Sequence, residues 1–237
     1  MTKQILWIFA VVALMLMGGK TAHASLLTFQ HGDGGLFSDM SATYLEKSNP
    51  DSNFGTHVQI QFDSASGSAN GLFKFSDLFG NALGQIPLGS TINSANINVQ
   101  VANSNAGNDI NIHQVLTTWD ESTATWNNFS DGGLSGINYV STALLSTTFG
   151  GTNSFKTWNV LTAVQSWSAA ADNQGLIILQ PTATDRGGIH SDESSTIEGR
   201  PLLTVDFTAP ISPVPEPSSF VMFSLAGLIA FMRRRRH

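Results

Sequence analysis

Thr91 to Val101 reads TINSANINVQV, and this stretch decides the predicted fold because its side chains alternate between apolar and polar. The apolar positions of the alternation are Ala95, Ile97, Val99 and Val101, and the polar positions are Asn96, Asn98 and Gln100. Successive side chains of a β-strand point to opposite faces of the sheet. The stretch therefore predicts a long strand with one buried face and one polar face.

Shorter segments of the same kind recur along the chain, separated by turns rich in Gly, Asn and Ser. We expect further strands at 43–45, 57–62, 73–75, 110–114, 137–140, 155–158, 175–180 and 201–207. One segment has helical spacing instead, with Val160, Val164 and Trp167 at i, i+4 and i+7. Asn159 or Thr162 is available as its N-cap. The pattern predicts an all-β domain, an antiparallel β-sandwich of jelly-roll type.

The last two dozen residues combine a proline hinge, an apolar segment and an arginine cluster. Pro215 and Pro217 flank Glu216 and keep the backbone extended, because proline fixes φ and lacks an N–H donor. The apolar segment, residues 220–232, covers roughly 20 Å as a helix, which is less than a hydrocarbon core of about 30 Å. It is followed by Arg233, Arg234, Arg235 and Arg236, which resist translocation. These features favour a transient stop-transfer segment in the inner membrane over a permanent anchor.

The first residues have the features of a secretory signal peptide. Lys3 precedes an apolar run over residues 5–17, and Ala22 and Ala24 flank His23 in a small-x-small cleavage site. We expect the mature chain to begin at Ser25. The predicted organisation is a signal peptide over 1–24, a β-sandwich domain over 25–210, a Pro-rich hinge over 211–219, a transmembrane segment over 220–232 and an Arg-rich cytoplasmic tail over 233–237. The chain has no cysteine, so packing must stabilise the domain without disulfides.

The predicted domain is strongly acidic. Residues 25–210 hold 5 of the 11 Lys and Arg residues and 16 of the 17 Asp and Glu residues, which gives a net charge of −11. Such a charge argues against nucleic acid as a partner, and against an anionic polymer bound by a broad basic patch. It is compatible with neutral glycans and with cations.

The C-terminal features together resemble the PEP-CTERM sorting signal, in which Pro-Glu-Pro precedes a short membrane span and a terminal arginine cluster. The resemblance implies recognition by an exosortase in a Gram-negative bacterium that makes extracellular polysaccharide. Cleavage near the motif would follow. We therefore expect export through the inner membrane to the cell surface or the extracellular matrix.

A second set of motifs is spread over the predicted domain. It comprises Ser76-Asp77-Leu78, residues 86–92 with Ala95, Trp119-Asp120-Glu121, Thr125-Trp126-Asn127, residues 158–164 with Trp167, Gly175-Leu176, Ser191 with Glu193, and residues 200–203. In this order the motifs resemble the DNRLRE domains, over about residues 38–207. The DNRLRE domains are related to the disaggregatase-associated modules and include carbohydrate-binding modules that recognise acidic or matrix polysaccharides. The resemblance therefore implies a glycan-binding β-sandwich. Lys74 departs from the pattern, since an arginine is usual there.

Aromatic side chains can stack on the C–H faces of sugars, and they can equally build a core. We expect Trp126, Trp158 and Trp167 in the core. Trp119 stays open between the two roles because it borders an acidic pair. The candidate glycan contacts are Trp119, Tyr44, Tyr139, Asp120 and Glu121.

Loop carboxylates and amides suggest a structural Ca²⁺ as a candidate cofactor, because calcium prefers oxygen ligands. The loop residues of this kind are Asp39, Asn49, Asp51, Asn53, Asp109, Asp120, Asp192 and Glu193. Within them, Asp39, Asp51 and Asn53 are the candidate metal ligands. No EF-hand or RTX ligand pattern is present in the sequence.

The sequence has no HExxH zinc motif, no Gly-x-Ser-x-Gly elbow and no phosphate-binding loop. We expect an exported, non-catalytic protein whose partners are extracellular polysaccharide, an exosortase and transiently the inner membrane. A structural matrix component without glycan binding is one alternative. A polysaccharide lyase or hydrolase is the other.

Overall fold

The computed structural model describes residues 23–34, 37, 39–64, 68–105, 107–130, 134, 136–182 and 185–210. The chain divides into two compact units, and these residues belong to the unit from His23 to Pro210. Most of the signal peptide and the whole C-terminal tail lie outside the described residues. The expectations that fall there, which the structure does not test, concern Ala22, the Pro-Glu-Pro motif, the apolar segment 220–232 and the arginines 233–236.

The described part contains eleven strands. They are β1 (Ala24–Gln30), β2 (Met40–Glu46), β3 (Gln59–Phe62), β4 (Ala69–Phe75), β5 (Thr91–Asn103), β6 (Asp109–Gln114), β7 (Leu145–Thr148), β8 (Phe155–Asn159), β9 (Leu176–Leu179), β10 (Gly187–His190) and β11 (Leu202–Thr208). The helical elements are α1 (Trp126–Ser130), α2 (Leu161–Ser168) and a 3-10 turn (Ile197–Gly199).

The strands form two sheets, and all pairings between these strands are antiparallel. A six-stranded sheet has the order β1-β11-β5-β10-β3, with β8 also paired to β5. A five-stranded sheet has the order β2-β4-β9-β6-β7. The predicted all-β antiparallel sandwich is confirmed.

β5 is the long strand that the alternation predicted. From Ala95 onward its apolar side chains are buried and its amides are half-buried on the other face. Ile92 is also buried although it lies three residues before Ala95, because the register with β11 shifts between Asp206 and Phe207. One extra residue in β5 at this bulge resets the alternation.

The five-stranded sheet is buried on both faces. One face packs against the six-stranded sheet in the main core, to which Phe73, Ile112 and Ile178 belong. The opposite face carries a second group of buried apolar residues, here called the outer cluster. Its members are Leu45, Leu72, Val115, Trp119, Ala124, Trp126, Phe129 and Ile177. The chain after β6 therefore crosses and covers this sheet.

Helix α2 lies where the 3.6-residue spacing predicted it. Its buried side chains are Ala163, Val164 and Trp167, which join the main core. The N-cap residue is Val160, and the side-chain Oδ1 of Asn159 accepts the N–H of Leu161 at 3.0 Å. Asn159, one of the two predicted N-caps, thus accepts a free N–H at the start of the helix, although it lies one position before the N-cap residue.

Two strand predictions need correction. Residues 137–140 are a turn with a single bridge between Tyr139 and Val115, because Asn138 turns its amide to Phe129 O and Thr117 Oγ1. The strand predicted over 57–62 begins at Gln59, and Val58 is 50% exposed. Within the described residues, no helix is long and apolar enough to cross a membrane.

A buried ion cluster joins β2 to the start of β10. Arg186 Nη2 lies 2.6 Å from Glu46 Oε1, and its Nε lies 3.6 Å from Asp63 Oδ2. Arg186 Nη1 also donates to Gln61 Oε1 at 2.8 Å. Burial raises the pKa of Glu46, but hydrogen bonds from Asn49 and Arg186 outweigh it and leave that pKa below its usual value of 4.5. The cluster therefore keeps Glu46 ionised in the folded protein.

Replacing Arg186 by methionine should lower the free energy of unfolding by about 2 kcal/mol at pH 7, since two carboxylates lose their cation. This is less than for a fully buried pair because the Arg186 side chain is 31% exposed. The lowered pKa of Glu46 stabilises the fold above pH 4.5, and this contribution is lost as the pH falls through the folded-state pKa. In Arg186→Met the decrease in the free energy of unfolding between pH 7 and pH 4 should be smaller than in the wild type. Urea unfolding at pH 7 and pH 4 measures both effects, with Lys156→Met as the control; equal midpoints for the two variants would contradict the prediction.

Candidate functional site

The segment between β6 and β7 builds a surface feature over the outer face of the five-stranded sheet. Its apolar side chains Trp126 and Phe129, on α1, anchor it in the outer cluster. Asn53 holds it from another loop, because its Nδ2 donates to Glu121 O at 2.7 Å and to Ala124 O at 2.9 Å. The segment is thus a fixed part of the fold.

A cleft of about 470 Å³ opens in this segment, here called the 118–129 cleft. It is lined by Thr118, Trp119, Asp120, Thr123, Ala124, Asn128 and Phe129. Asn128 is held in place because its Oδ1 accepts the N–H of Thr125 and its Nδ2 donates to Thr123 O. The size is that of a small-ligand site, and the lining alternates polar groups with apolar ones.

Trp119 is a core residue that also lines the cleft, and its contact with a glycan stays a prediction. Its side chain is only 6% exposed, belongs to the outer cluster and donates its indole N–H to Gln174 O at 2.8 Å. It also lines the cleft. Lys74 Nζ lies 4.9 Å from the ring centroid and donates to Trp119 O at 3.1 Å. Trp119 therefore lines the cleft next to a positive charge.

Asp120 is the charged group of the cleft lining. The carboxylate Oδ1 accepts hydrogen bonds from the hydroxyl and the N–H of Ser122. These bonds, with a smaller effect of Lys74, hold the pKa of Asp120 below its usual value. The exposed carboxylate is ionised at neutral pH and can accept hydrogen bonds from hydroxyl groups.

The other predicted glycan contacts lie apart from this lining. Tyr44 is 4% exposed, with its ring stacked on Phe54 at 4.2 Å between centroids. Tyr139 is half-buried against the outer cluster and its ring lies 4.9 Å from that of His113. Glu121 turns its carboxylate to the backbone, where Oε1 accepts the N–H of Ala42 at 2.7 Å.

The three candidate calcium ligands make separate contacts in the structure. Asp51 Oδ1 accepts from Asn127 Nδ2 at 2.7 Å, and Asn53 uses its amide to hold the 121–124 backbone. Asp39 lines a smaller cleft of about 200 Å³ with Phe37 and Asp77. Over the described ranges, no three His, Cys, Asp or Glu side chains form a ready-made metal cage. The three-residue site stays a prediction.

Sequence reasoning found Trp119 and Asp120 but missed the rest of the lining. Thr118, Thr123 and Asn128 are short polar residues in a loop, and such residues are too common in turns to indicate a site. Asn128-Phe129-Ser130 stands out only as an unrelated glycosylation pattern. The presence of two tryptophans, Trp119 and Trp126, in this one segment is the signal that could have marked it as a built feature.

Family comparison agrees with the fold and places the cleft in context. Residues 37–206 match the model of carbohydrate-binding module family 96. The chain belongs to this family. The match runs from before β2 into β11, includes all residues of the 118–129 cleft, and is consistent with the DNRLRE resemblance. Members of such a family are carbohydrate-binding modules, so binding of a carbohydrate is the function that the match supports.

Residues 213–236 match the PEP-CTERM protein-sorting motif. The predicted sorting signal is therefore confirmed as a motif, and it implies export to the cell surface or the extracellular space by an exosortase-dependent route. A search of curated proteins gives no match to this chain.

Proposed function

We propose that residues 25–210 form a non-catalytic module that binds a neutral extracellular polysaccharide in the 118–129 cleft. The observation that carries the proposal is a cleft of sugar size whose lining combines the ionised Asp120 with Trp119, in a member of a carbohydrate-binding family. A carboxylate accepts strong hydrogen bonds from the hydroxyl groups of a sugar. An apolar wall suits the C–H face of the ring.

A neutral rather than acidic glycan fits the charge of the domain. Residues 25–210 have a net charge of −11, and Asp120 adds a negative charge inside the cleft itself. Lys74 is close by, but its ammonium group already donates to Trp119 O and lies over the indole. A uronic acid polymer would meet net repulsion here.

A lyase or hydrolase is less well supported by the arrangement of carboxylates. Glycoside hydrolysis needs two carboxyl groups on either side of the bond. Asp120 lines the cleft, whereas Glu121 and Asp192 are not among its lining residues. We infer that the module binds and does not cleave, and that a purely structural matrix role is the alternative.

We propose the following path to the surface. The signal peptide directs export and is cleaved after Ala24, and the segment 220–232 holds the chain in the inner membrane while an exosortase processes it near Pro215-Glu216-Pro217. The mature module is then displayed on the cell surface or in the extracellular matrix. The producing cell would be a Gram-negative bacterium that secretes polysaccharide.

Replacing Asp120 by alanine should weaken glycan binding about tenfold or more, because a charge-assisted hydrogen bond is lost. Thr118→Ala should weaken it less. Affinity electrophoresis of residues 25–210 in gels with a panel of neutral and acidic polysaccharides measures the effect. Glu198→Gln, which removes an exposed carboxylate outside the cleft, is the charge-matched control, and the polysaccharide should retard it, relative to a gel without polysaccharide, as much as the wild type.

Three outcomes separate the hypotheses. Retention that Asp120→Ala reduces and Glu198→Gln does not supports the cleft. Unaltered migration of the wild type with every polysaccharide tested would contradict the binding proposal and favour the structural role. Release of reducing ends or unsaturated products from a polysaccharide would show a hydrolase or lyase.

A further inference from the structure

The turn that follows β10 holds a buried carboxylate that the proposed function does not use. Ser191 Oγ donates to His57 O at 2.7 Å and accepts the N–H of Glu193 at 3.1 Å, which fixes this turn against the loop before β3. Asp192 is 4% exposed in this turn. Its Oδ1 is buried and has no hydrogen-bond partner in the described part of the protein. A buried polar atom without a partner costs free energy and requires an explanation.

Other charged groups face Asp192 from separate parts of the chain. Burial, followed by the charges of Glu121 and Glu193, raises the pKa of Asp192 to about 7, although a hydrogen bond from its own backbone and the charge of Arg200 lower it. The pKa of Glu121 is also raised, first by burial and then by Glu193 and Asp120, while His31 opposes this. Geometry also brings the two segments together at the loop before β3, because Asn53 Nδ2 donates to Glu121 O at 2.7 Å and Ser191 Oγ donates to His57 O at 2.7 Å.

The nearby cation and imidazole do not supply the missing partner. Arg200 Nε donates to Ser194 O at 2.9 Å, and its Nη1 donates to His31 O at 3.0 Å. His31 Nδ1 is itself a buried atom that the described residues leave without a hydrogen bond. The guanidinium thus supports the backbone around the carboxylates and does not bond to Asp192.

We propose that Asp192 and Glu121 bind a divalent cation of the calcium class. The buried Oδ1 of Asp192, beside the half-buried Glu121, has an excess of negative charge that suits a hard cation, and Ca²⁺ completes its shell with backbone carbonyls and waters. Two carboxylates are therefore enough, which is compatible with the absence of a three-side-chain cage among the described residues. Zinc is a poorer fit, because it prefers sulfur and nitrogen ligands and the chain has no cysteine.

The site differs from the one expected at Asp39, Asp51 and Asn53, and its role would be to join distant segments. Glu121 belongs to the loop that continues into the 118–129 cleft, and Asp192 belongs to the turn after β10. A cation between them would hold the cleft-bearing loop to the six-stranded sheet. This inference does not depend on glycan binding.

The test measures thermal unfolding and equilibrium calcium binding on residues 25–210, the unit with its own core, after treatment with a chelator. Ca²⁺ at about 100 times its Kd should raise Tm by about 5 to 10 °C, with one ion bound per chain in equilibrium dialysis. Asp192→Asn and Glu121→Gln keep the side-chain shapes and should abolish both effects. Asp39→Asn is the matched control and should retain both.

Two results would overturn the proposal. The first is a wild-type Tm that stays the same with millimolar Ca²⁺ and with Mg²⁺, together with no ion bound in dialysis. The second is calcium binding that Asp192→Asn and Glu121→Gln leave intact, or that Asp39→Asn removes instead. Dialysis of the wild type does not depend on whether a variant folds, so the proposal is testable in either case.

Discussion

Replacing Trp158 by alanine should lower the free energy of unfolding by about 3–5 kcal/mol, the largest loss that we expect from a single substitution in this domain. Trp158 lies on β8, pairs with Ile97 of β5 and is 1% exposed. Its ring centroid lies 6.5 Å from that of Phe73, so it packs across the space between the two sheets. A domain of ordinary stability has only about 5–15 kcal/mol to lose, so the variant should be close to unfolding.

A second substitution separates packing from polarity at this position. Trp158 Nε1 is a buried donor with no partner among the residues that the structure describes. Trp158→Phe removes this donor and keeps most of the ring, so its cost should be well below that of the alanine variant. Phe155→Ala on the same strand, where the side chain is 54% exposed, should change stability by less than about 0.5 kcal/mol. Urea unfolding followed by fluorescence measures all three; similar midpoints for Trp158→Ala and Phe155→Ala would contradict the assignment of Trp158 to the core.

Replacing the four arginines 233–236 by serine should abolish correct sorting, which is an all-or-none effect on location. Fixed positive charge keeps the C-terminal end on the cytoplasmic side of the membrane. Without it, the segment 220–232 is too short to hold the chain in place by itself. We expect loss of C-terminal processing and of surface display, measured by cell fractionation and by the mass of the released chain.

A charge-preserving variant controls this experiment. Four lysines in place of the arginines keep the charge and change only the guanidinium groups. Normal processing of the lysine variant with failure of the serine variant would support the charge argument. Normal surface display of the serine variant would contradict it.

Much of the sandwich could be predicted from β5, because a half-buried strand shows its two faces in the sequence. β10 could not be predicted in this way. It reads Gly187-Gly188-Ile189-His190, and Gly187 is there because a Cβ would collide with the ring of Phe62. Because close packing against the partner strand requires glycine here, β10 lacks the apolar alternation that would have predicted it.

The strand wrongly predicted over 137–140 shows the opposite error, because apolar residues there suggested a strand that the fold does not form. Ile137 and Val140 are apolar residues around Tyr139, which suggested a buried strand. In the folded chain Ile137 is 81% exposed, and only Tyr139 makes a bridge. Asn138 instead holds the turn in place, since its amide donates to Phe129 O and to Thr117 Oγ1.

The candidate site was predictable only where its residues are neighbours in the sequence. Trp119 and Asp120 are adjacent in sequence, so an acidic residue beside a large aromatic one could be noticed. Glu121 and Asp192 are separated by 71 positions, and only the tertiary structure brings their charges together. The burial that isolates Asp192 is likewise a property of the folded chain.

The most direct test of the central proposal is the equilibrium affinity of residues 25–210 for purified neutral polysaccharides, compared between the wild type and Asp120→Ala. The proposal predicts saturable binding of at least one neutral polysaccharide by the wild type and affinity reduced about tenfold or more in the variant. Binding of equal strength by both proteins, or binding confined to acidic polymers, would contradict it.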